Sequence, residues 1–88
     1  MASYKVVFKP SVEKDLRALP QSAVGRIFNK IEALAAEPFP RQSTKLAGAE
    51  HLYRIRIGDY RVIYGVDQDL KQVIMHDVLR RSEVYRQS

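Results

Sequence analysis

The chain contains no cysteine. That excludes disulfides, thiolate metal ligands and a cysteine nucleophile, and it is compatible with a reducing compartment. No stretch is long and apolar enough to span a bilayer, and the N-terminus lacks the basic-then-apolar layout of a secretory signal. A cytoplasmic protein is expected. No Gly-rich phosphate loop occurs. Neither His51 nor His76 has a carboxylate or a second histidine at helical ligand spacing. Asp67 and Asp69 suit a turn better than a calcium site, which needs more oxygen ligands. Neither a metal nor a cofactor is expected. Repeats, low-complexity stretches and linkers are also missing, so residues 1–88 are expected to form one small domain.

What the chain does have is a hydrophobic fraction of 45%, enough for one core, and a formal charge of +5. The excess suggests an acidic partner such as nucleic acid, although solubility alone also explains a basic domain. The distribution is more informative. From Arg41 onward there are seven arginines and only two lysines, Lys45 and Lys71. A guanidinium is a planar fork that matches phosphate oxygens, so this bias points to phosphate contact.

Tyr4 to Phe8 is rich in β-formers and predicts a strand. Ser11 is placed to cap a helix running to about Leu19, with Glu13 and Asp15 near its positive end. Pro20 ends that helix and suits the start of the next. From Gln21 to Ala36, Val24, Ile27, Phe28, Ile31, Leu34 and Ala35 recur at helical spacing. Glu37-Pro38 ends this second helix, because a residue before proline leaves the helical region. Arg41 to His51 reads as a polar connection. Strands follow at 52–57, 60–66 and 71–78, then a basic tail from Leu79. The pattern predicts an α+β domain: an N-terminal strand, a helical hairpin, then a three-stranded antiparallel meander with the helices packed on one face.

The hairpin at 52–66 carries the sharpest signal. Gly58-Asp59 suits a type II′ turn, with glycine supplying positive φ at the first central position. That turn pairs Ile57 with Tyr60, Arg56 with Arg61, Ile55 with Val62, Arg54 with Ile63 and Tyr53 with Tyr64. Tyr53, Ile55, Ile57, Tyr60, Val62 and Tyr64 then form a core face. Arg54, Arg56 and Arg61 share the other face, with no acidic residue interleaved. Like charges directly opposite on a sheet destabilise it by roughly 0.2–1 kcal/mol. A bound polyanion reverses that sign. The bland alternative is a solvated outer face.

The last strand should run beside Tyr60–Val66 and deliver Arg80 and Arg81 near Arg61. Tyr85 then offers a ring for stacking a base among cations, or else a plug closing the core. His76 has two open placements. A four-residue turn at 67–70 sets it opposite Arg61, and one more loop residue points it into the core. His51 sits at a loop edge.

Four segments together resemble the RelE/ParE toxin superfamily of bacterial toxin–antitoxin systems. They are Lys45-Leu46-Ala47-Gly48, Tyr53-Arg54-Ile55-Arg56-Ile57, Gly58-Asp59-Tyr60-Arg61-Val62-Ile63-Tyr64 and Arg80-Arg81-Ser82-Glu83-Val84-Tyr85. The resemblance spans nearly the whole chain. It implies the compact RelE-like microbial RNase fold and, in the RelE branch, ribosome-dependent cleavage of mRNA in the A site. In that reaction a ribose 2′-hydroxyl attacks the adjacent phosphate. By resemblance, Arg61 and Arg81 stabilise charge on the phosphate, Tyr85 stacks or orients the base, and Arg54 and Arg56 hold the backbone and help activate the hydroxyl. Lys45 and Arg80 are further RNA contacts. The resemblance also implies a cognate antitoxin, RelB-like or other, and the ribosome as partners. Lysines often stand in that branch where Arg54 and Arg56 stand here. A guanidinium stays protonated, so Arg56 is a poor general base. The ParE branch implies a different activity on the same scaffold, inhibition of DNA gyrase. A non-catalytic RNA-binding member is the third possibility.

Overall fold

The computed structural model describes residues 3–80; Arg81 and Tyr85 lie outside them. The elements are β1 (Lys5–Phe8), α1 (Pro10–Arg17), α2 (Gln21–Ala36), β2 (Thr44–Lys45), β3 (Leu52–Ile57), β4 (Tyr60–Asp67) and β5 (Gln72–Arg80). The sheet order is β1-β5-β4-β3-β2. β3, β4 and β5 form the antiparallel meander that the sequence predicts, and β1 lies parallel to β5. The polar connection contains one element that the sequence did not show. β2 pairs Thr44 with Arg54 and Lys45 with Tyr53. Two residues are too few to display the alternation that marks a strand.

Each helix boundary has a local cause. Pro10 stands in the first turn of α1, Lys9 is the N-cap, and no side chain caps the helix. Ser11 is therefore inside the first turn rather than capping it. Proline's fixed φ and missing N–H suit that position and start the helix earlier than predicted. Pro20 is the N-cap of α2, and its carbonyl accepts from the Ala23 and Val24 amides at 3.0 Å each. Glu37, before Pro38, is extended at φ −139°, ψ 93°.

The helices cover one face of the sheet. Val12 and Leu16 from α1, with Ala23, Ile27, Ile31 and Leu34 from α2, pack on Ile55, Tyr60, Val62, Tyr64, Val66, Val73, Met75 and Val78. Phe28, predicted for this stripe, is 39% exposed and instead meets the Phe8 ring at 5.7 Å. The β3–β4 register is the predicted one at every pair. Gly58 takes φ +59°, while Asp59 stays out of the left-handed region, as a type II′ turn requires.

β5 departs from simple alternation. Asp67 pairs with Gln72, so the turn spans 68–71, with Lys71 at φ +56°. Ile63 pairs with Asp77 but Tyr64 pairs with Met75, leaving His76 as an extra residue in a β-bulge. The bulge keeps Val73, Met75 and Val78 all inward despite their uneven spacing.

Candidate functional site

The uncovered face is built by the hairpin register. Arg54 and Arg56 project from β3 and Arg61 from β4, with Arg56 and Arg61 directly opposite each other. Thr44 joins them because β2 pairs it with Arg54. The three arginines, Thr44 and Gln42 line one concavity of about 150 Å³. Arg54 and Arg61 are half-buried and Arg56 is exposed. Among the described residues no carboxylate pairs with any of the three. Concentrated, partly desolvated guanidinium charge without an internal counterion is a site for an external anion, and the fork geometry matches phosphate.

The apposition of Arg56 and Arg61 carries a cost in the free protein. Arg56→Thr removes the repulsion and introduces a good strand former. It is expected to raise folding stability by up to about 1 kcal/mol. A rise in urea midpoint with an unchanged slope is the reading that confirms it, and a fall counts against the repulsion.

The other predicted contacts divide. Lys45 is opposite Tyr53, whose ring stacks on Tyr64 on the core side. The structure therefore does not bring Lys45 into the concavity. Its neighbour Thr44 takes that place. Arg80 is opposite Tyr60, and Leu79 rather than Arg80 stands opposite Arg61. The register thus sets Arg80, which is exposed, on the same face as buried Tyr60. Arg81 and Tyr85 fall outside the described residues. Gln42 and Thr44 escaped sequence reasoning because only the β2–β3 pairing reveals their face. His51 is exposed beside Glu50, 3.9 Å from its carboxylate.

His76 takes neither predicted placement. As the bulged residue it is not opposite Arg61 and does not enter the core. Its ring lies over β4, where a Cβ on Gly65 would stand 3.0 Å from His76 Nε2. Burial of the ring, then the charge of Lys9, hold its pKa below the ordinary 6.5, while Asp77 pulls the other way. Between those two pKa values the unfolded chain binds more protons than the folded one. Stability is then lost as pH falls through the unfolded value toward the folded one. The urea midpoint is expected to drop from about pH 7 to about pH 5. His76→Gln is expected to flatten that drop, and an identical pH profile in the variant counts against it.

Comparison with known proteins agrees with this architecture. The family model described as the ParE toxin of type II toxin-antitoxin system, parDE, matches residues 6–85. The putative toxin RelE1 of Methanocaldococcus jannaschii is 34% identical over 86 residues, covering 94% of this chain and 96% of that protein. The RelE of the archaeal RelE–RelB complex from Pyrococcus horikoshii is 33% identical with a TM-score of 0.78, over 90% of this chain and 96% of that one. The isolated E. coli RelE toxin is 26% identical with a TM-score of 0.81, over 97% and 94%. The chain thus belongs to the ParE toxin family of type II toxin–antitoxin systems and, within the RelE/ParE superfamily, to its RelE-like branch.

Proposed function

We propose that this toxin is a ribosome-dependent endoribonuclease that cuts mRNA in the A site and so stops translation. The observation that carries the reading is the concavity lined by Arg54, Arg56 and Arg61, with which no carboxylate among the described residues pairs. In the reaction the 2′-oxygen attacks the adjacent phosphorus and the bond to the 5′-oxygen breaks. A 2′,3′-cyclic phosphate and a free 5′-hydroxyl result, the 2′-hydroxyl losing a proton and the leaving 5′-oxygen gaining one. Negative charge grows on the phosphoryl oxygens on the way. Fixed guanidiniums aimed at that charge stabilise the transition state more than the ground state.

The half-buried Arg61 is assigned to the phosphoryl oxygens, and Arg54 and Arg56 to the RNA backbone. Arg81 is assigned to the leaving oxygen and Tyr85 to the base, from the resemblance alone. An arginine is a poor general base at neutral pH, so the rate rests on charge stabilisation and in-line placement by toxin and ribosome together. The guanidiniums supply the positive charge, so the reaction is assigned no metal ion or cofactor. A cognate antitoxin is proposed by analogy with the RelE–RelB complex of Pyrococcus horikoshii, and the cytoplasm follows from a ribosomal target.

The test is to map 5′ ends of transcripts on ribosomes after brief induction. Clustered new 5′-hydroxyl ends within coding sequences support the reading. The match to the ParE toxin description favours a second reading, binding and poisoning of DNA gyrase. DNA-break markers without new transcript ends would establish that one instead.

A further inference from the structure

A second depression, of about 470 Å³, lies farther along the sheet, and His51, Gly65, Asp67, Asp69, Ile74 and His76 are among the residues lining it. Gly65 follows Arg61 and Ile63 on the outward side of β4 and pairs with Ile74, so the groove opens on the arginine face, with Tyr53 and Val66 from the core side also lining it. Gly65 is four positions beyond Arg61, about 13 Å along the strand. The groove owes its depth to glycine. A Cβ at position 65 would stand 3.0 Å from His76 Nε2 and 3.5 Å from the His51 carbonyl oxygen. Its chemistry is the opposite of the arginine site. Among the described residues no lysine or arginine lines it, and two carboxylates, Asp67 and Asp69, do. Asp67 Oδ1 accepts from the Leu70 amide at 2.9 Å, which fixes that carboxylate. Phe39, 40% exposed, adds a ring to the rim.

A phosphate is repelled by such a groove. A flat group with N–H donors on its edge is suited to it. Carboxylates accept from base amino groups, and imidazole and phenyl rings stack on unpaired bases. We infer that the groove is a base-binding subsite for an unpaired nucleobase, one with an exocyclic amino group, belonging to the RNA strand whose phosphate occupies the arginine concavity. The inference rests on the RNA reading proposed above and adds to it. The toxin chooses among sequences partly through a base away from the scissile phosphate, held between His76 and the acidic rim.

The experiment measures binding of a fluorescein-labelled 2′-O-methyl RNA heptamer, which cannot be cleaved, to the full-length toxin at low salt. Each position is replaced in turn by an abasic residue. For the wild type, one position is expected to cost roughly 5–10-fold in affinity through lost stacking. In His76→Ala and in Gly65→Val, which fills the groove, that position-specific loss disappears. Asp69→Asn, conservative in shape, keeps the protein folded and lowers the preference for an amino-bearing base there. A position-specific loss that persists unchanged in all three variants overturns the inference, as does a wild type with no position-specific loss. Groove variants that weaken an antitoxin complex and leave RNA binding untouched also overturn it, and make the groove a protein contact. Arg61→Ala separates the two readings. It is expected to weaken every oligonucleotide alike. If it changes nothing while the groove effect stands, the phosphate assignment fails and the base subsite survives.

Discussion

Arg61→Ala is expected to lower the rate of mRNA cleavage on ribosomes by about 10²–10³-fold, the loss typical of removing one fixed transition-state donor. The magnitude follows from where Arg61 sits. It projects from β4, which is paired on both sides from Tyr60 to Gly65, so the strand holds its Cα rigidly. Its side chain is half-buried, which lowers the local dielectric and strengthens its pull on a phosphate. No carboxylate among the described residues competes for it. The variant should fold. Alanine is a weaker strand former, but its introduction also removes the repulsion with Arg56 across the pair. Arg61→Lys is expected to recover only part of the activity, because an ammonium keeps the charge and loses the bidentate fork. Purified ribosomes programmed with one message, and primer extension against time, give the rates. An alanine variant that cleaves at the wild-type rate removes Arg61 from the reaction.

The sequence made this residue legible because a hairpin has so little freedom. Gly58-Asp59 between two alternating runs sets the turn type. The turn type sets the register, and the register decides which side chains share a face. Three arginines on one side followed without any long-range information. α2 was equally legible, since Pro20 and Pro38 bracket a periodic run. What the sequence concealed depends on pairings between distant segments. The face of Thr44 and Lys45 is set by β3, so charge alone points to Lys45 while the pairing brings Thr44 to the site. His76 depends on a bulge whose signature is only an uneven spacing of Val73, Met75 and Val78. Arg80 follows from the same bulge. Without the bulge the register that pairs Asp67 with Gln72 would carry on and set Val78 rather than Leu79 opposite Arg61. The arginine concavity and the histidine groove thus come from different parts of the code. The first is written in a local turn. The second is written in a bulge and a missing side chain at Gly65.

Tyr64 links the core to the site, and its replacement is expected to produce the largest loss of stability among single changes on the sheet. The side chain is fully buried, stacks on Tyr53 at 5.8 Å between ring centroids, and donates its hydroxyl to the Pro38 carbonyl at 2.9 Å. Burial is the main reason its pKa is raised, so the hydroxyl remains a donor at neutral pH. That hydrogen bond ties the segment after α2 to the middle of β4. The same segment continues through Ser43, whose hydroxyl donates to the Pro40 carbonyl at 2.8 Å, and it carries Gln42 and Thr44 to the arginine concavity. Tyr64→Ala deletes a ring from a closed core and is expected to cost about 3–5 kcal/mol. A small domain has only about 5–15 kcal/mol in total, so this variant should lose a large part of its stability. Tyr64→Phe keeps the ring and leaves the Pro38 carbonyl without its donor, at an expected cost of about 1–2 kcal/mol. Urea midpoints separate the two. The phenylalanine variant also reports on function. If the tether positions Gln42 and Thr44, cleavage falls several-fold at a temperature where the protein is fully folded. Wild-type cleavage by a folded Tyr64→Phe protein would confine Tyr64 to stability and leave the arginines to shape the concavity alone.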